Sequence, residues 1–231
     1  MANLVDIIKG IVSNLDLNLR VTEIDGLKIY VCSTKHVTIT KIVEDEAGNK
    51  FKVVGYSFDE YLELEPINHT DPFVGSIVIG PAPICFAGTP SSVNNEYLRI
   101  SGQRTLDKTP FVWLLESYEY DDLPLDSSIE FAFDARLFLM DWANEKKWRN
   151  SDHNEIVIKP MENLAQMIID YIESDYSFKR LGTKRIRPRS RFGVEVTNKG
   201  NTKKIINEDL SGVELNLTLE LYDLSICNAK C

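Results

Sequence analysis

The residues best suited to metal or acid–base chemistry are three histidines and two runs of acidic side chains. The histidines are His36, His69 and His153, and the acidic runs occupy residues 44–46 and 119–122. A zinc or iron site needs several convergent ligands, which are commonly seeded by closely spaced pairs, and no two of these histidines are so spaced. A small metal-dependent hydrolase that combines Asp152 and His153 with an acidic run is therefore our least favoured hypothesis.

Motifs for nucleotide binding and nucleophilic catalysis are missing from the sequence. It contains neither G-x-x-x-x-G-K-[ST] nor a G-x-G-x-x-G that follows a strand. Residues 55–59 begin like a nucleophile elbow but lack its second glycine. We therefore predict no catalytic residue, no cofactor, no metal and no enzymatic activity.

One segment concentrates positive charge. Residues 179–191 hold seven basic side chains and no acidic one, and the other 19 basic residues face all 35 acidic residues. The net charge of −9 therefore combines a segment of +7 with a remainder of −16. Such a subunit is dipolar and can attract a copy of itself or an acidic partner. The candidate contact residues are Lys179, Arg180, Lys184, Arg185, Arg187, Arg189 and Arg191.

Three interpretations of this basic segment stay open: a solvated loop, a contact with another subunit or partner protein, and a contact with DNA phosphates. Its five arginines suit bidentate contact with phosphates, but only one aromatic residue, Phe192, adjoins them. The acidic net charge argues against a general duplex-binding protein. No apolar run approaches the ~20 residues that span a bilayer, so we expect no membrane partner.

Hydrophobic periodicity predicts a helix followed by a β-rich region in the first half of the chain. Apolar residues at helical spacing mark a helix over residues 3–15. Alternation then predicts a hairpin around Asp25 and Gly26, with further strands in the runs 37–43, 51–54, 61–64 and 76–79. Because prolines recur afterwards, residues 80–105 are predicted to be a long irregular loop with small β pieces.

The second half predicts strands, one helix and a closing strand. Residues 111–116 and 129–139 read as strands, and the polar run 141–158 reads as an exposed connection. Pro160 is well placed to begin a helix, and residues 213–222 alternate as the clearest strand of the chain. The predicted class is α+β: an antiparallel sheet flanked by two helices over 1–18 plus 106–231, with a β-rich insertion subdomain over 19–105.

Four stretches of the second half, in order, resemble a known family. They are Phe-Val-Trp-Leu-Leu-Glu (111–116), Asp-Ala-Arg-Leu-Phe-Leu (134–139), Ile-Lys-Pro-Met (158–161) and Asp-Leu-Ser-Gly-Val-Glu-Leu (209–215). Together they resemble the tail-completion and tail-terminator-like neck proteins of tailed bacteriophages, with the ring proteins of crAss-like phages as the closest group. The resemblance covers roughly residues 105–231.

The resemblance implies a non-enzymatic virion protein, made in the host cytoplasm and built into the phage neck. Such proteins form rings, often six- or twelve-fold, that connect the head with the tail around the DNA channel. The implied partners are further copies of the chain and portal, connector or tail tube proteins, with passive DNA contact in the channel. The alternative is another non-catalytic phage tail or baseplate adaptor.

A head-to-tail ring needs two different complementary surfaces on each subunit. We expect the basic segment 179–191 to supply one of them, against the acidic remainder of a neighbour. The long closing strand is a second candidate, because it could extend a sheet across the subunit boundary.

Overall fold

The protein is α+β, with about 27% helix and 44% strand, in a computed structural model. The structure describes residues 4–100, 108–115, 119–122, 129–144, 147–176, 178–192, 194–196, 202–204 and 209–222. It contains a closed six-stranded antiparallel barrel and a separate, larger sheet. The predicted α+β class is confirmed, whereas a simple sheet flanked by two helices is not clearly what the chain forms.

The barrel follows the first helix, α1 (Leu4–Ser13). Its strand order is β1-β2-β5-β4-β3-β6, and it closes because β6 pairs with β1. Alternate side chains such as Leu19, Ile29 and Phe51 fill its interior. The strands are β1 (Asn18–Asp25), β2 (Lys28–Val31), β3 (Ile42–Glu44), β4 (Lys50–Ser57), β5 (Tyr61–Pro66) and β6 (Ile77–Ile79).

The larger sheet has the order β11-β14-β10-β8-β7, and β9 pairs with β10 beyond the end of β8. β7 and β8 are parallel, and the other pairs are antiparallel. Its strands are β7 (Ile84–Gly88), β8 (Phe111–Leu115), β9 (Glu119–Asp122), β10 (Ile129–Trp142), β11 (Phe178–Phe192) and β14 (Leu210–Tyr222). Two further strands, β12 (Val194–Val196) and β13 (Thr202–Lys204), pair with each other in a separate two-stranded sheet.

The closing strand β14 lies between β10 and β11, so both of its sides are already paired. The expectation that it could extend a sheet across a subunit boundary is therefore wrong. A glycine at position 212 of this strand is required by close approach, because a Cβ there would lie 1.9 Å from the Leu139 carbonyl oxygen. β11 is the last strand on this side of the sheet, and β7 is the last strand on the other side.

The helices cover both faces of the larger sheet. α1 and α4 (Lys159–Ser174) share one hydrophobic core with one face, and α2 (Pro90–Arg99) packs on the other face against Phe86 and Phe111. Helix α4 places seven buried side chains on its inner stripe, which fixes its orientation. No helix in the described part of the chain is long and apolar enough to cross a membrane.

The region predicted as an irregular loop, 80–105, contains β7 and α2. Prolines suggested a broken chain, but Pro90 occupies the first turn of α2, where its missing N–H has no intrahelical partner to lose. Thr89 caps this helix by accepting a hydrogen bond from the Ser92 amide. Both elements therefore belong with the larger sheet. They do not belong with the barrel, because its last strand, β6, ends at Ile79.

The described residues of the run predicted as an exposed connection, 141–158, are mostly strand and helix. β10 extends to Trp142, and helical structure begins with α3 (Asn150–His153) and a π-helical turn (Asn154–Ile158) that leads directly into α4. The wider turn lets the chain pass Pro160 without the i→i−4 hydrogen bond that proline cannot donate. Pro160 therefore stands in the first turn of α4, as predicted, but the helical run as a whole already begins at Asn150.

A buried ion pair joins the barrel to the larger sheet. Lys41 Nζ lies 2.5 Å from Asp141 Oδ1, and both side chains are only 2% exposed. Lys41 also donates to Thr109 Oγ1 at 2.8 Å. In the segment before β3, Val37 packs in the barrel core and Thr38 Oγ1 donates to Asp141 Oδ2 at 3.4 Å, so this loop also holds the barrel to the sheet.

Candidate functional site

The basic segment is the edge strand β11, and it is not a loop. Ten of its residues stand in antiparallel register with β14, and no other strand of the described chain pairs with it. Lys179 and Arg180 lie on this strand, but their side chains are outside the described part of the structure. The other five candidate residues, from Lys184 to Arg191, have described side chains.

The β alternation divides these side chains between the two faces of the sheet. Arg185, Arg187 and Arg189 stand opposite Asn216, Glu214 and Gly212, so all three arginines share one face. Arg136 on β10 reaches the same face from across β14. We call these four arginines, Arg136, Arg185, Arg187 and Arg189, the arginine face. Lys184 points to the opposite face, where it pairs with Glu173 of α4.

A buried carboxylate lies at the centre of the arginine face. The Glu214 side chain is 1% exposed and accepts four hydrogen bonds. Arg136 Nε (2.8 Å) and Asn216 Nδ2 (3.2 Å) donate to Oε1, and Arg189 donates to Oε2 through Nε (2.9 Å) and Nη2. Burial alone would raise the pKa of Glu214, but the hydrogen bonds from Arg189, Arg136 and Asn216 outweigh it and lower the pKa to about 2.

The arginine face holds more positive charge than Glu214 can neutralise. An ionised carboxylate accepts about four hydrogen bonds, and Arg136, Arg189 and Asn216 already supply four. Arg187 Nη1 lies 3.9 Å from Oε1, outside hydrogen-bond distance, and its side chain is 48% exposed. Arg136, Arg187, Arg189 and Glu214 together therefore carry a net charge of +2.

Two more cations of β11 add to this surplus. Arg185 and Arg191 are exposed, and neither makes a hydrogen bond or ion pair with any described residue. Arg185 and Arg191 are thus guanidinium groups without a described partner, and Arg187 has only the 3.9 Å ion pair with Glu214. Because guanidinium groups recognise carboxylates and phosphates through paired N–H donors, this surplus is suited to an anionic partner.

The aromatic residues beside the arginine face belong to the core. Trp113 and Phe138 are stacked with ring centroids 4.9 Å apart, and Phe192 packs against both. Arg136 lies over the Phe138 ring at 5.1 Å. Trp113 and Phe138 are buried, so they offer no surface on which an unpaired base could stack. The arrangement therefore favours an anionic group over a nucleobase as the ligand.

Alanine substitutions should distinguish Arg189, which donates hydrogen bonds to Glu214, from Arg187, which does not. We expect Arg189→Ala to lower the free energy of unfolding by about 1–2 kcal/mol, because Glu214 loses two charged hydrogen bonds. Arg187→Ala should change it by less than about 0.5 kcal/mol, because Arg187 makes no hydrogen bond to Glu214. Urea unfolding of the two variants tests this, and equal losses would refute the distinction.

The histidines do not come together. His36 is buried in the barrel loop and lies with Nε2 2.8 Å from the Pro81 carbonyl oxygen, and burial lowers its pKa to about 4. His69 contacts the Lys50 carbonyl oxygen. His153, expected on an exposed loop, is buried: its Nδ1 lies 2.8 Å from Ser211 Oγ, which donates to the Ser190 carbonyl.

The acidic run 44–46 stabilises the barrel locally. Asp45 accepts hydrogen bonds from the amides of Ala47, Asn49 and Val74, and Glu46 accepts from Ser76. Across the described ranges, no three His, Cys, Asp or Glu side chains are close enough to hold a metal ion. The convergence of His153 with residues 44–46 that the hydrolase hypothesis requires is therefore absent from the described contacts.

One small cavity lies between the barrel loop and the end of β10. It has a volume of about 190 Å³ and is lined by Thr38, Ile39, Thr40, Asp141, Trp142, Trp148 and Ile156. Its charged group, Asp141, is already paired with Lys41. The cavity thus has no unpaired charged group among these lining residues.

Sequence reasoning located the basic segment but missed Arg136, Glu214 and the pair formed by Lys41 and Asp141. Arg136 and Glu214 stand on the polar side of two alternating strands, which signals exposure when each strand is considered alone. Their proximity depends on the pairing of Arg136 with Asn216 and of Arg187 with Glu214.

No protein-family model matches the chain, and no curated protein is similar to it in sequence.

Proposed function

We propose that this chain is a structural subunit of an oligomeric ring in the neck of a tailed bacteriophage. It acts through assembly and has no catalytic residue, cofactor or metal. The ring, six- or twelve-fold, would join head to tail as a tail terminator or head–tail connector around the DNA channel. Its partners would be its own copies and the portal, connector or tail tube proteins next to it, first in the host cytoplasm and then in the virion.

The observation that carries this proposal is the surplus of cations on an unpaired sheet edge. Arg185, Arg187 and Arg191 exceed what Glu214 neutralises, and they stand on β11, which has no strand on its outer side among the described residues. An isolated subunit gains nothing from holding like charges together. A partner that brings carboxylates would remove the repulsion, and the remainder of the chain, at −16, makes a second copy such a partner.

The resemblance of residues 105–231 to neck proteins gives this contact its context. In a tail-terminator-like arrangement, one sheet and two helices form the ring body, and we assign α1, α4 and the larger sheet to that role. The barrel would then be the insertion that larger members carry after their first helix. A tail or baseplate adaptor would use the same basic edge, so only the position of the chain in the particle separates the two roles.

Cryo-electron microscopy of the source particle tests the location. We expect density for this chain as a closed ring between the portal and the tail tube. A ring at the baseplate would favour the adaptor role, and absence of the chain from every ring of the particle would overturn the proposal.

Charge reversal at the basic edge tests the mechanism of incorporation. The double variant Arg185→Glu/Arg191→Glu should fold with the stability of the wild type, because neither arginine has a described partner, and should be lost from particles. The matched control is Lys9→Glu/Arg20→Glu, which changes the net charge equally at exposed positions outside β11. Quantitative mass spectrometry of purified particles measures incorporation, and equal incorporation of both variants would contradict a contact role for the basic edge.

A further inference from the structure

We infer that Tyr176 of one subunit inserts into the small cavity at the end of β10 of a neighbouring copy. We call Tyr176 the knob, and we call the cavity, which lies between Thr38 of the barrel loop and the pair Trp142 and Trp148, the socket. The inference rests on the proposed ring and adds to it a contact that is not made by charge. The group that the socket binds is a phenol side chain, held by apolar packing and one hydrogen bond.

The knob is far more exposed than any other large apolar side chain of the described chain. Tyr176 is 96% exposed, and the next most exposed of these residues, Val74, is 50% exposed. It follows α4 at a turn that the Phe178 amide closes by donating to the Asp175 carbonyl oxygen at 3.1 Å. Tyrosine is enriched at protein interfaces, because its ring supplies apolar area and its hydroxyl group finds a hydrogen-bond partner. Tyr176 therefore has the properties of an anchor residue for another protein.

The socket has the size of one substituted aromatic ring. Its volume is about 190 Å³, and a cavity of about 150 Å³ holds a benzene ring. Trp142 and Trp148 form an aromatic wall, with ring centroids 5.6 Å apart and ring planes at 74°, and both are only partly buried. An inserted ring would therefore make edge-to-face contacts with indole groups that the subunit leaves partly open.

Asp141 offers a hydrogen-bond partner for the phenol hydroxyl group at the wall of the socket. Its Oδ1 accepts from Lys41 Nζ at 2.5 Å and from the Trp142 amide at 2.6 Å. Its Oδ2 accepts one long hydrogen bond within the described chain, from Thr38 Oγ1 at 3.4 Å. A carboxylate oxygen accepts about two hydrogen bonds, so Oδ2 can accept another. Because Lys41 already balances the charge of Asp141, a neutral donor fits this position better than a second cation.

The knob and the socket lie at opposite ends of the larger sheet. Trp142 stands opposite Leu210 at one end of β14, and Phe178, two residues after Tyr176, stands opposite Leu221 near the other end. The part of β14 between these two positions spans about 36 Å at about 3.3 Å per residue. Tyr176 therefore cannot fill the socket of its own subunit. A contact between knob and socket joins two copies head to tail, and repeating it generates a ring when the rotation closes.

A second copy is favoured over a free small molecule as the occupant of the socket. Every copy carries one knob and one socket, so each socket in a closed ring would be filled. Tyr176 also lies just before β11, so the knob adjoins the basic edge that the proposed ring already uses. The turn at Asp175 holds the tyrosine backbone in place, which lowers the entropy cost of inserting the ring.

Variants of the knob test the contact by sedimentation velocity at up to about 1 mM protein. We expect the wild type to self-associate and Tyr176→Ala to weaken the association about 100-fold, because the interface loses a buried ring. Tyr176→Phe should weaken it about 10-fold, because only the hydrogen bond to Asp141 is lost. The matched control is Leu98→Ala, which removes an exposed apolar side chain on α2 and should associate like the wild type.

Mixing a knob variant with a socket variant tests the head-to-tail arrangement. Ile156→Phe adds a ring at the wall of the socket and should fill it, so this variant and Tyr176→Ala should each be monomeric. An equimolar mixture should form heterodimers and nothing larger, because it offers one intact knob to one intact socket. If Ile156→Phe does not fold, 4-methylphenol replaces it: this analogue of the tyrosine side chain should change the fluorescence of Trp142 and Trp148 and dissociate the wild type.

The outcomes separate the inference from the proposed function. Self-association that Tyr176→Ala leaves unchanged, or a wild type that stays monomeric at about 1 mM, overturns the contact, whereas the particle images alone decide the ring. Binding of 4-methylphenol without an effect on self-association also overturns the contact, because the socket then takes a small ligand. Open filaments that depend on Tyr176 support the contact and count against a closed ring.

Discussion

Replacing Lys41 with methionine is expected to lower the free energy of unfolding by about 3–5 kcal/mol, the largest effect of any single change proposed for this protein. Asp141 would stay buried without its counter-charge, because both side chains of the pair are 2% exposed and Nζ lies 2.5 Å from Oδ1. Thr38 Oγ1, at 3.4 Å from Oδ2, cannot neutralise a carboxylate. Urea unfolding monitored by tryptophan fluorescence measures the loss.

The matched control is Lys50→Met, which removes a lysine from an ion pair of the same type at the surface. Lys50 Nζ lies 3.3 Å from Glu44 Oε1, but both side chains are exposed to solvent. Exposed pairs contribute about 0–1 kcal/mol, so the control should be nearly neutral. Combining Lys41→Met with Asp141→Leu should recover part of the stability, because it removes the unpaired charge. Equal losses for Lys41→Met and Lys50→Met would show that the buried pair has no special role.

This ion pair marks the limit of prediction from the sequence. Periodicity predicted the barrel strands because one face of each must be apolar, and Asp25 with Gly26 predicted the first hairpin, where Gly26 adopts a φ of +61°. Lys41 lies within the run 37–43 that was predicted as a strand, but only Ile42 and Val43 of that run belong to one, β3. The partner of Lys41 is 100 residues away, and no local pattern relates two positions so distant.

The helices show a second limit of prediction from the sequence: a proline does not by itself determine where a helix begins or ends. At Pro90 and Pro160 the sequence predicted a break and a helix start, respectively. The structure has a capped helix start at Pro90, whereas Pro160 stands in the first turn of α4, as predicted, but follows α3 and a π-helical turn without a break. Proline forbids a hydrogen bond and restricts φ, but neighbouring residues decide whether the chain ends a helix or widens a turn. Val93 and Tyr97, one turn apart and buried, are the signal that could have identified α2.

The candidate site was predicted in composition but not in geometry. All seven basic residues fall on one strand, and counting charges located them. Their division into structural and surplus arginines could not be predicted, because it depends on Glu214 and Arg136, which β14 and β10 bring to the same face. The division matters for experiment: reversing Arg189 or Arg187 would place new carboxylates beside Glu214, whereas Arg185 and Arg191 can be changed without this effect.

Glu214→Gln is expected to lower the free energy of unfolding by about 2–3 kcal/mol at pH 7, because three arginines lose the anion around which they converge. The arginines stay partly in water, so the loss should be smaller than that for Lys41→Met. The control is Glu173→Gln, which breaks the surface pair with Lys184 and should cost less than about 1 kcal/mol.

The pH dependence of the same variant identifies the carboxylate as the cause. The pKa of Glu214 is lowered from its usual 4.5 to about 2 in the folded protein, so its stabilising effect is complete above about pH 4.5 and is lost as the pH falls towards 2. The difference in unfolding free energy between the wild type and Glu214→Gln should therefore be constant from pH 7 to 5 and shrink below pH 4.5. A difference that persists unchanged at pH 3 would mean that packing, and not the charge of Glu214, holds the arginine face together.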